Sequence, residues 1–438
     1  MILIYTKNIT PRLEYIFGLF FNTLLKSDIT FTTSREEFTS SELPKINYSD
    51  TLFGDELFIK AHNLLFEEDI KAPGITVFDW NKDNDKYKVF FPAGADSFLP
   101  FDLFAAGFYL VTRYEEHLPF KADEYGRFEA KESFAFRNGF LDQPVINIWA
   151  DILKKTINRH YPGIIKTTGN YCYIPTIDID NAYSFLHKGM ARAIGGGLKS
   201  LANLRIKETS ERAKVLLGSK PDPFDTYNYI KSVDEKYGLS STYFFLVGRL
   251  SKHDRNVPAN NKHYRSLIRS ISEKNNTGIH PSYHSNSNIK ILKKEIESLS
   301  SIINNDITIS RQHFIKLSFP ETYKNLINYG IKEDYSMGYP SHAGYRAGIC
   351  TPYRYYDLSS ETVTDLTIFP FQVMDMTLRG YMELTPEQAI EEIKTMIDKI
   401  KKVNGTFISL WHNESLSETN GWEGWRRVYE EMYRMANV

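Results

Sequence analysis

At 438 residues, 42% hydrophobic and 14% aromatic, the chain is globular and long enough to bury a large core in two or three domains. Its 53 basic against 54 acidic residues leave a formal net charge of −1, so no overall field draws it onto nucleic acid or anionic lipid, and no nucleic-acid partner is expected. Cys172 and Cys350 are the only cysteines and are read as two buried thiols, which excludes a disulfide framework or a zinc knuckle.

The opening MILIYTKNITPRLEYIFGLFFNTLL lacks the basic, apolar and small-residue regions of a secretory signal. Its longest apolar run, Tyr15 to Phe21, falls short of the roughly 20 residues that cross a bilayer, so a soluble, cytoplasmic protein without a transmembrane segment is expected. A buried strand at Ile2–Tyr5 leads to Thr10-Pro11, a cap and first-turn proline for a helix through Leu25. A strand at Ile29–Thr33, the run ELFIKAHNLLF at 56–66 and the strand YKVFF at 87–91 continue a mixed α/β unit. Phe104, Phe108, Val111 and Tyr114 recur at helical spacing within 100–117, and an amphipathic helix over 143–162 stops at a proline. PGIIKTTGN supplies turn residues near 163–170, which puts a boundary between a smaller α/β domain, 1–168, and a second domain, 169–438. The first domain holds no cluster with readable chemistry, and its expected role is structural or substrate-positioning.

Beyond 170, short apolar runs alternate with amphipathic helices. The strands read as YCYIPTIDID (171–180), 241–250, 277–285, 306–314, a run near 344–353, 366–378 and 405–413. About seven β/α repeats with doubly buried strands predict a parallel barrel or open sheet. Residues 187–224 interrupt the rhythm, carry eight Lys or Arg against three Asp or Glu, and read as a basic insertion that covers the site or touches a membrane surface peripherally.

Chemistry collects at the ends of these strands. In a strand, residues two apart face the same way, so Asp178 and Asp180 of TIDID look into one cavity; buried carboxylates there call for a metal or a cation. Asp83 and Asp85, in the polar NKDNDK, share that spacing and read as solvated loop. His280 and His284 of GIHPSYHS stand four apart, a spacing that suits a divalent ion when the segment is helical. Arg311 and His313 follow the apolar ITIS, and His412 closes FISLWH. In parallel β/α architectures, ligands gather at the C-terminal ends of strands, and Asp, His, Arg and His all fall there.

These motifs, over roughly 170–415, resemble the polysaccharide deacetylase family, also called NodB-homology or carbohydrate esterase family four. The resemblance implies a distorted (β/α)7 barrel. It makes Asp178 the catalytic base, Asp180, His280 and His284 the metal ligands, Arg311 the residue that orients the base, and His412 the catalytic histidine of the last strand. Ile179 separates the two aspartates, which most members have adjacent; a subgroup including intracellular deacetylases and imide or amide hydrolases shares this. The arginine motif reads Arg-Gln-His-Phe where the family continues with prolines, a tyrosine and a glycine. Asp334 in KEDYSMGY or Asp375 in QVMDM would be the carboxylate that partners Arg311 or His412. Tyr283, His313, Arg346 in the tyrosine-rich 344–358 stretch, and Trp411 are candidate substrate contacts. The implied activity is metal-dependent removal of an N- or O-acyl group from an amino sugar or polysaccharide. One divalent ion is expected, zinc first and cobalt or nickel next. The alternatives are hydrolysis of a linear or cyclic non-sugar amide, or an inactive carbohydrate-binding barrel.

Overall fold

The computed structural model of the chain describes residues 1–82, 85–166, 169–189 and 206–437. Much of the basic insertion read from the sequence therefore lies outside the described residues.

Four parallel strands, β1 (Ile2–Thr6), β2 (Ile29–Thr32), β3 (Lys45–Ser49) and β4 (Leu57–Lys60), form a first sheet in the order β2-β1-β3-β4. Thr10 caps the helix Pro11–Gly18 by accepting the Leu13 N–H, and the helical path continues as a π turn over Leu19–Leu24. An antiparallel hairpin, β5 (Val77–Lys82) and β6 (Asp85–Phe90), follows. Helix Leu103–Val111 is buried at every position and is capped by Asp102, which accepts the Phe104 and Ala105 N–H groups. The amphipathic helix Val145–His160 ends this region as the sequence predicts.

The second sheet contains β7 (Cys172–Ile179), β8 (Thr242–Phe245), β9 (Thr277–Ile279), β10 (Ile309–Ser310), β11 (Glu333–Asp334), β12 (Tyr353–Asp357), β13 (Thr362–Ile368), β14 (Val373–Met374) and β15 (Thr406–His412). Its order is β12-β13-β11-β10-β9-β8-β7-β15-β14, parallel throughout except for β12 against β13. The ladder is open, with β12 and β14 at its ends; the repeats allowed a barrel or an open sheet, and the family resemblance implied a distorted barrel. Covalent chain spans the gap instead. β13 lies beside β11, β14 lies beside β15, and between them Phe369 N–H donates to the Asp334 carbonyl at 2.8 Å and Gln372 N–H to that of Ile408 at 3.1 Å. Several strands are shorter than their apolar runs, because 280–285 and 311–315 leave the ladder and turn. The run near 344–353 forms no strand; β12 begins at its end.

Both faces of this sheet are buried. Phe244, Ile315, Tyr335, Phe371, Met374, Ile408 and Leu410 form a small inner cluster, while the outer face joins a single large core that also takes in Ile4, Phe17, Phe104 and Trp149 of the first region. Cys350 is buried as expected, but Cys172 is exposed at the first position of β7, and both thiols are free. No helix among the described residues is long and apolar enough to cross a membrane.

A buried ion network ties the two regions together. Glu116 accepts from Arg113 Nε at 2.7 Å and from Arg346 Nε and Nη2 at 2.9 and 2.5 Å, and Arg113 Nη1 donates to the Arg346 carbonyl. Burial alone would raise the Glu116 carboxyl, but Arg346 and Arg113 hold it below the usual carboxylate range. Removing Glu116 leaves the buried Arg346 guanidinium without its carboxylate, while Arg113 keeps Glu115 at 2.8 Å. Glu116→Ala is therefore expected to lose about 3–5 kcal/mol of stability, read as a lower urea midpoint, with Glu116→Leu no better because it cannot restore the charge.

Candidate active site

Strand alternation builds the floor. Along β7, Ile177 and Ile179 pack outward at 0% exposure, so Thr176 and Asp178 project inward, and Asp180 follows one residue past the strand end. Arg311, just beyond β10 and fully buried, reaches across the interior. Its Nη1 donates to Thr176 Oγ1 at 2.7 Å and Asp178 Oδ1 at 2.9 Å, and its Nε to the Tyr335 carbonyl at 2.9 Å. The guanidinium lies 4.5 Å from the Phe244 ring centroid. Gly278 on β9 makes room for that ring, since a Cβ there would meet Phe244 at 2.8 Å and the Ile309 carbonyl at 2.7 Å.

Asp180, His280 and His313 bring one ligand atom each within 4.8 Å of one another. His280 Nε2 lies 3.0 Å from Asp180 Oδ1 and 3.7 Å from Asp178 Oδ2, and His313 Nε2 lies 3.2 Å from Asp180 Oδ2. Each imidazole spends its Nδ1 elsewhere: His280 on the Arg311 carbonyl at 2.6 Å, His313 on Asp254 Oδ1 at 2.9 Å. A carbonyl can only accept, so His280 Nδ1 carries the proton and, in the neutral ring, a bare Nε2 faces the carboxylates. Asp180 Oδ1 is buried without a hydrogen bond despite its short approach to His280. Two imidazole nitrogens and a carboxylate oxygen, oriented from behind by a carbonyl and a carboxylate, are the donor set a divalent transition metal takes. Burial opposes charge on Asp180, but His313 and His280 hold it well below the usual range. Burial likewise opposes charge on His313, yet Asp180 and Asp254 carry it up to about 9.

His284, expected as the third ligand, is exposed and absent from this group. Residues four apart share a face only in a helix, whereas His280 still runs extended, donating its N–H to the Phe245 carbonyl at 3.0 Å, and the chain then turns outward. His313, expected only as a substrate contact, occupies the third position instead.

His412 ends β15 with Nδ1 2.8 Å from Asp375 Oδ1 and Nε2 3.6 Å from Asp180 Oδ2. Asp375 also accepts the His412 N–H at 2.8 Å and the Ser415 hydroxyl. Burial disfavours the imidazolium, but Asp375 and Asp180 together hold His412 well above its ordinary value. A cavity of about 200 Å³ opens over these groups, walled by Arg127, Phe314, Ile315, Met374, Met376, Tyr381 and Glu414. Burial pushes the Glu414 carboxyl up to about 7, against the pull of His412.

The remaining expected contacts lie elsewhere. Trp411, adjacent to His412 on β15, must face the opposite way; it is fully buried in the outer core with Nε1 3.3 Å from Met432 Sδ. Arg346 is consumed by Glu116. The Tyr283 hydroxyl donates to the Tyr125 carbonyl at 3.1 Å. Asp334 accepts from Ser310 and Ser336 rather than Arg311, which leaves Asp375 as the orienting carboxylate of His412. Asp254, Glu414 and Arg127 were not singled out in the sequence: Asp254 and Arg127 sit in loops and Glu414 in a single 3-10 turn, Asn413–Leu416, all too short or irregular to show a period.

A model described as a family of unknown function (DUF7033) matches residues 2–162, and no curated protein matches the chain. Among solved structures, the chain is similar to a protein from Mycobacterium smegmatis assigned as a polysaccharide deacetylase, at 17% identity over 62% of this chain and 87% of that one, with a TM-score of 0.41. It is also similar to Puue allantoinase, at 10% identity over 64% and 88% with a TM-score of 0.38. A third is BA3943, a CE4-family pseudoenzyme from Bacillus anthracis, at 10% identity over 60% and 61% with a TM-score of 0.31. Scores this low leave the chemistry to be carried by the site itself.

Asp375 supplies the nearest negative charge to His412. In metal-free protein, Asp375→Asn is expected to lower the His412 pKa, because its largest opposing charge is removed, followed by NMR titration of labelled imidazoles; an unchanged titration would remove Asp375 as the orienting group.

Proposed function

We propose that this chain is a metal-dependent hydrolase that removes an N- or O-acyl group from an amino sugar or polysaccharide, on a strongly distorted seven-membered β/α barrel. One observation supports this above all: three ligand atoms converge between a carboxylate held by a buried arginine, Asp178, and an imidazole backed by its own carboxylate, His412. Asp180, His280 and His313 hold the metal, zinc by donor type, with cobalt or nickel also suited to this set. Bound there, the ion would supply Lewis acidity toward a water and the substrate carbonyl.

The chain's own residues supply the rest. Asp178, aimed by Arg311, accepts the proton of the attacking water. His412, oriented by Asp375 at 2.8 Å, donates its proton to the departing nitrogen or oxygen. The apolar wall of Phe314, Ile315, Met374 and Met376 seats the acyl methyl and keeps bulk water out. The small cavity, about 200 Å³, favours as a second reading a compact linear or cyclic amide.

Metal content by mass spectrometry tests the ligand set. About one equivalent is expected in the wild type and in His284→Ala, and a loss in His280→Ala and His313→Ala; retention in His313→Ala would restore the original His280 and His284 pairing. Asp178→Asn should keep the metal while turnover falls roughly 10²–10⁴-fold. Acetate release from N-acetyl sugars, against ammonia or acid release from small amides and imides, separates the two substrate readings. A loaded protein that acts on neither class would be a binding barrel.

A further inference from the structure

We infer that the region matched by the family of unknown function is a working part of the catalytic centre: its loop Asp123–Arg127 positions the segment that carries ligand His313. The inference rests on the metal-site reading above and assigns that region a task.

The loop is preset by its own bonds. The Asp123 carboxylate accepts the Tyr125 and Arg127 N–H groups at 2.9 and 2.8 Å and Arg127 Nε at 2.7 Å, and Asp123 N–H donates to the Arg127 carbonyl at 3.0 Å. Arg127 is 4% exposed, and its guanidinium lies 4.7 Å from the Tyr125 ring centroid. Asp123 engages only Nε, so the far end of the fork is left to reach the other region. There Nη1 donates to the Phe314 carbonyl at 2.8 Å, and the arginine itself forms part of the cavity wall.

The residue it grips is an unusual one. Phe314 and Ile315 both adopt left-handed φ values, 61° and 53°, which side chains other than glycine rarely take and which persist only where surrounding contacts fix them. This turn immediately follows His313, whose ring must keep Nδ1 on Asp254 and Nε2 toward Asp180. A second tie runs alongside: the Tyr283 hydroxyl donates to the Tyr125 carbonyl at 3.1 Å, and the Tyr125 and Phe314 rings lie 5.1 Å apart. Thus the segments following His280 and His313 are both fastened to one loop of the first region. Arg127 is a positioning residue, acting on the metal group through the Phe314 backbone.

Cobalt(II) titration of the full-length protein, followed by visible absorption, tests this. Arg127→Ala should weaken cobalt binding about 10–100-fold, the range seen when supports of ligands are removed, and alter the band shape, while far-UV circular dichroism stays that of the wild type. Arg127→Lys, which can still reach one carbonyl, should recover part of the affinity. Tyr283→Phe removes only the second tie and should shift affinity in the same direction by less, so it decides the matter if Arg127→Ala does not fold. Wild-type cobalt affinity and spectrum in these variants, with His313→Ala losing the metal, overturns the inference alone. A wild type that takes up no cobalt overturns the metal reading, and this inference with it.

Discussion

One buried guanidinium organises the site. The Arg311 side chain fixes Thr176 and Asp178 on β7 and the Tyr335 carbonyl beyond β11. Its main chain is equally committed: the carbonyl receives His280 Nδ1, and the N–H donates to the Ile279 carbonyl at 3.0 Å. A charge taken wholly out of water is tolerated only where partners surround it, and aromatic faces from Phe244, Tyr335 and Phe371 complete the enclosure. The same residue thus sets the position of the proposed base and the tautomer of a proposed ligand. Displacing it would disturb both at once.

Orientation of the other groups is delegated outward in the same manner. Asp254, between β8 and β9, holds His313 and is itself held by the Tyr283 N–H and the Ser251 hydroxyl. Asp375, after β14, holds His412 and is held by Ser415. These supports come from separate loops, so the ring orientations are set by the assembled fold rather than by any local stretch. Rings free to turn would cost ligand geometry far more than they would cost stability, which is why polar supports stand here in place of apolar packing.

This division explains what could be read from the sequence. Period-two alternation on β7 identifies Asp178 and Asp180, and the same rule on β15 identifies His412 as inward. Applied fully, that rule also sends Trp411 outward, away from any substrate. The His280 and His284 pairing borrowed a helical spacing for a chain that leaves a strand and turns. His313 was visible as a residue but not as a partner of Asp180 and His280, because its direction depends on a left-handed turn at Phe314 and on Asp254, fifty-nine residues away in sequence. Arg346 sits among tyrosines that suggest a groove, yet its charge is claimed by Glu116 from the other end of the chain. The repeat rhythm announces the parallel sheet; the covalent bridge between β13 and β14 has no sequence period to announce it.

The turn-rich stretch at 163–170 divides the sequence more sharply than it divides the molecule. One apolar core runs through both parts, Arg12 pairs with Glu361 at 2.6 Å, and Asn147 bonds Thr351 and the Cys350 N–H at 2.8 and 3.0 Å. Apolar contact alone would let the two parts slide, since it is nondirectional. Buried ions and amides allow only the arrangement in which every one of them is partnered, so they fix one register at some cost in desolvation. That register brings the Asp123–Arg127 loop to the Phe314 carbonyl, and a brace of this kind is useful only when both of its ends are rigid. The polar stitching along the rest of the seam is therefore part of what would keep that brace, and the proposed ligands behind it, in place.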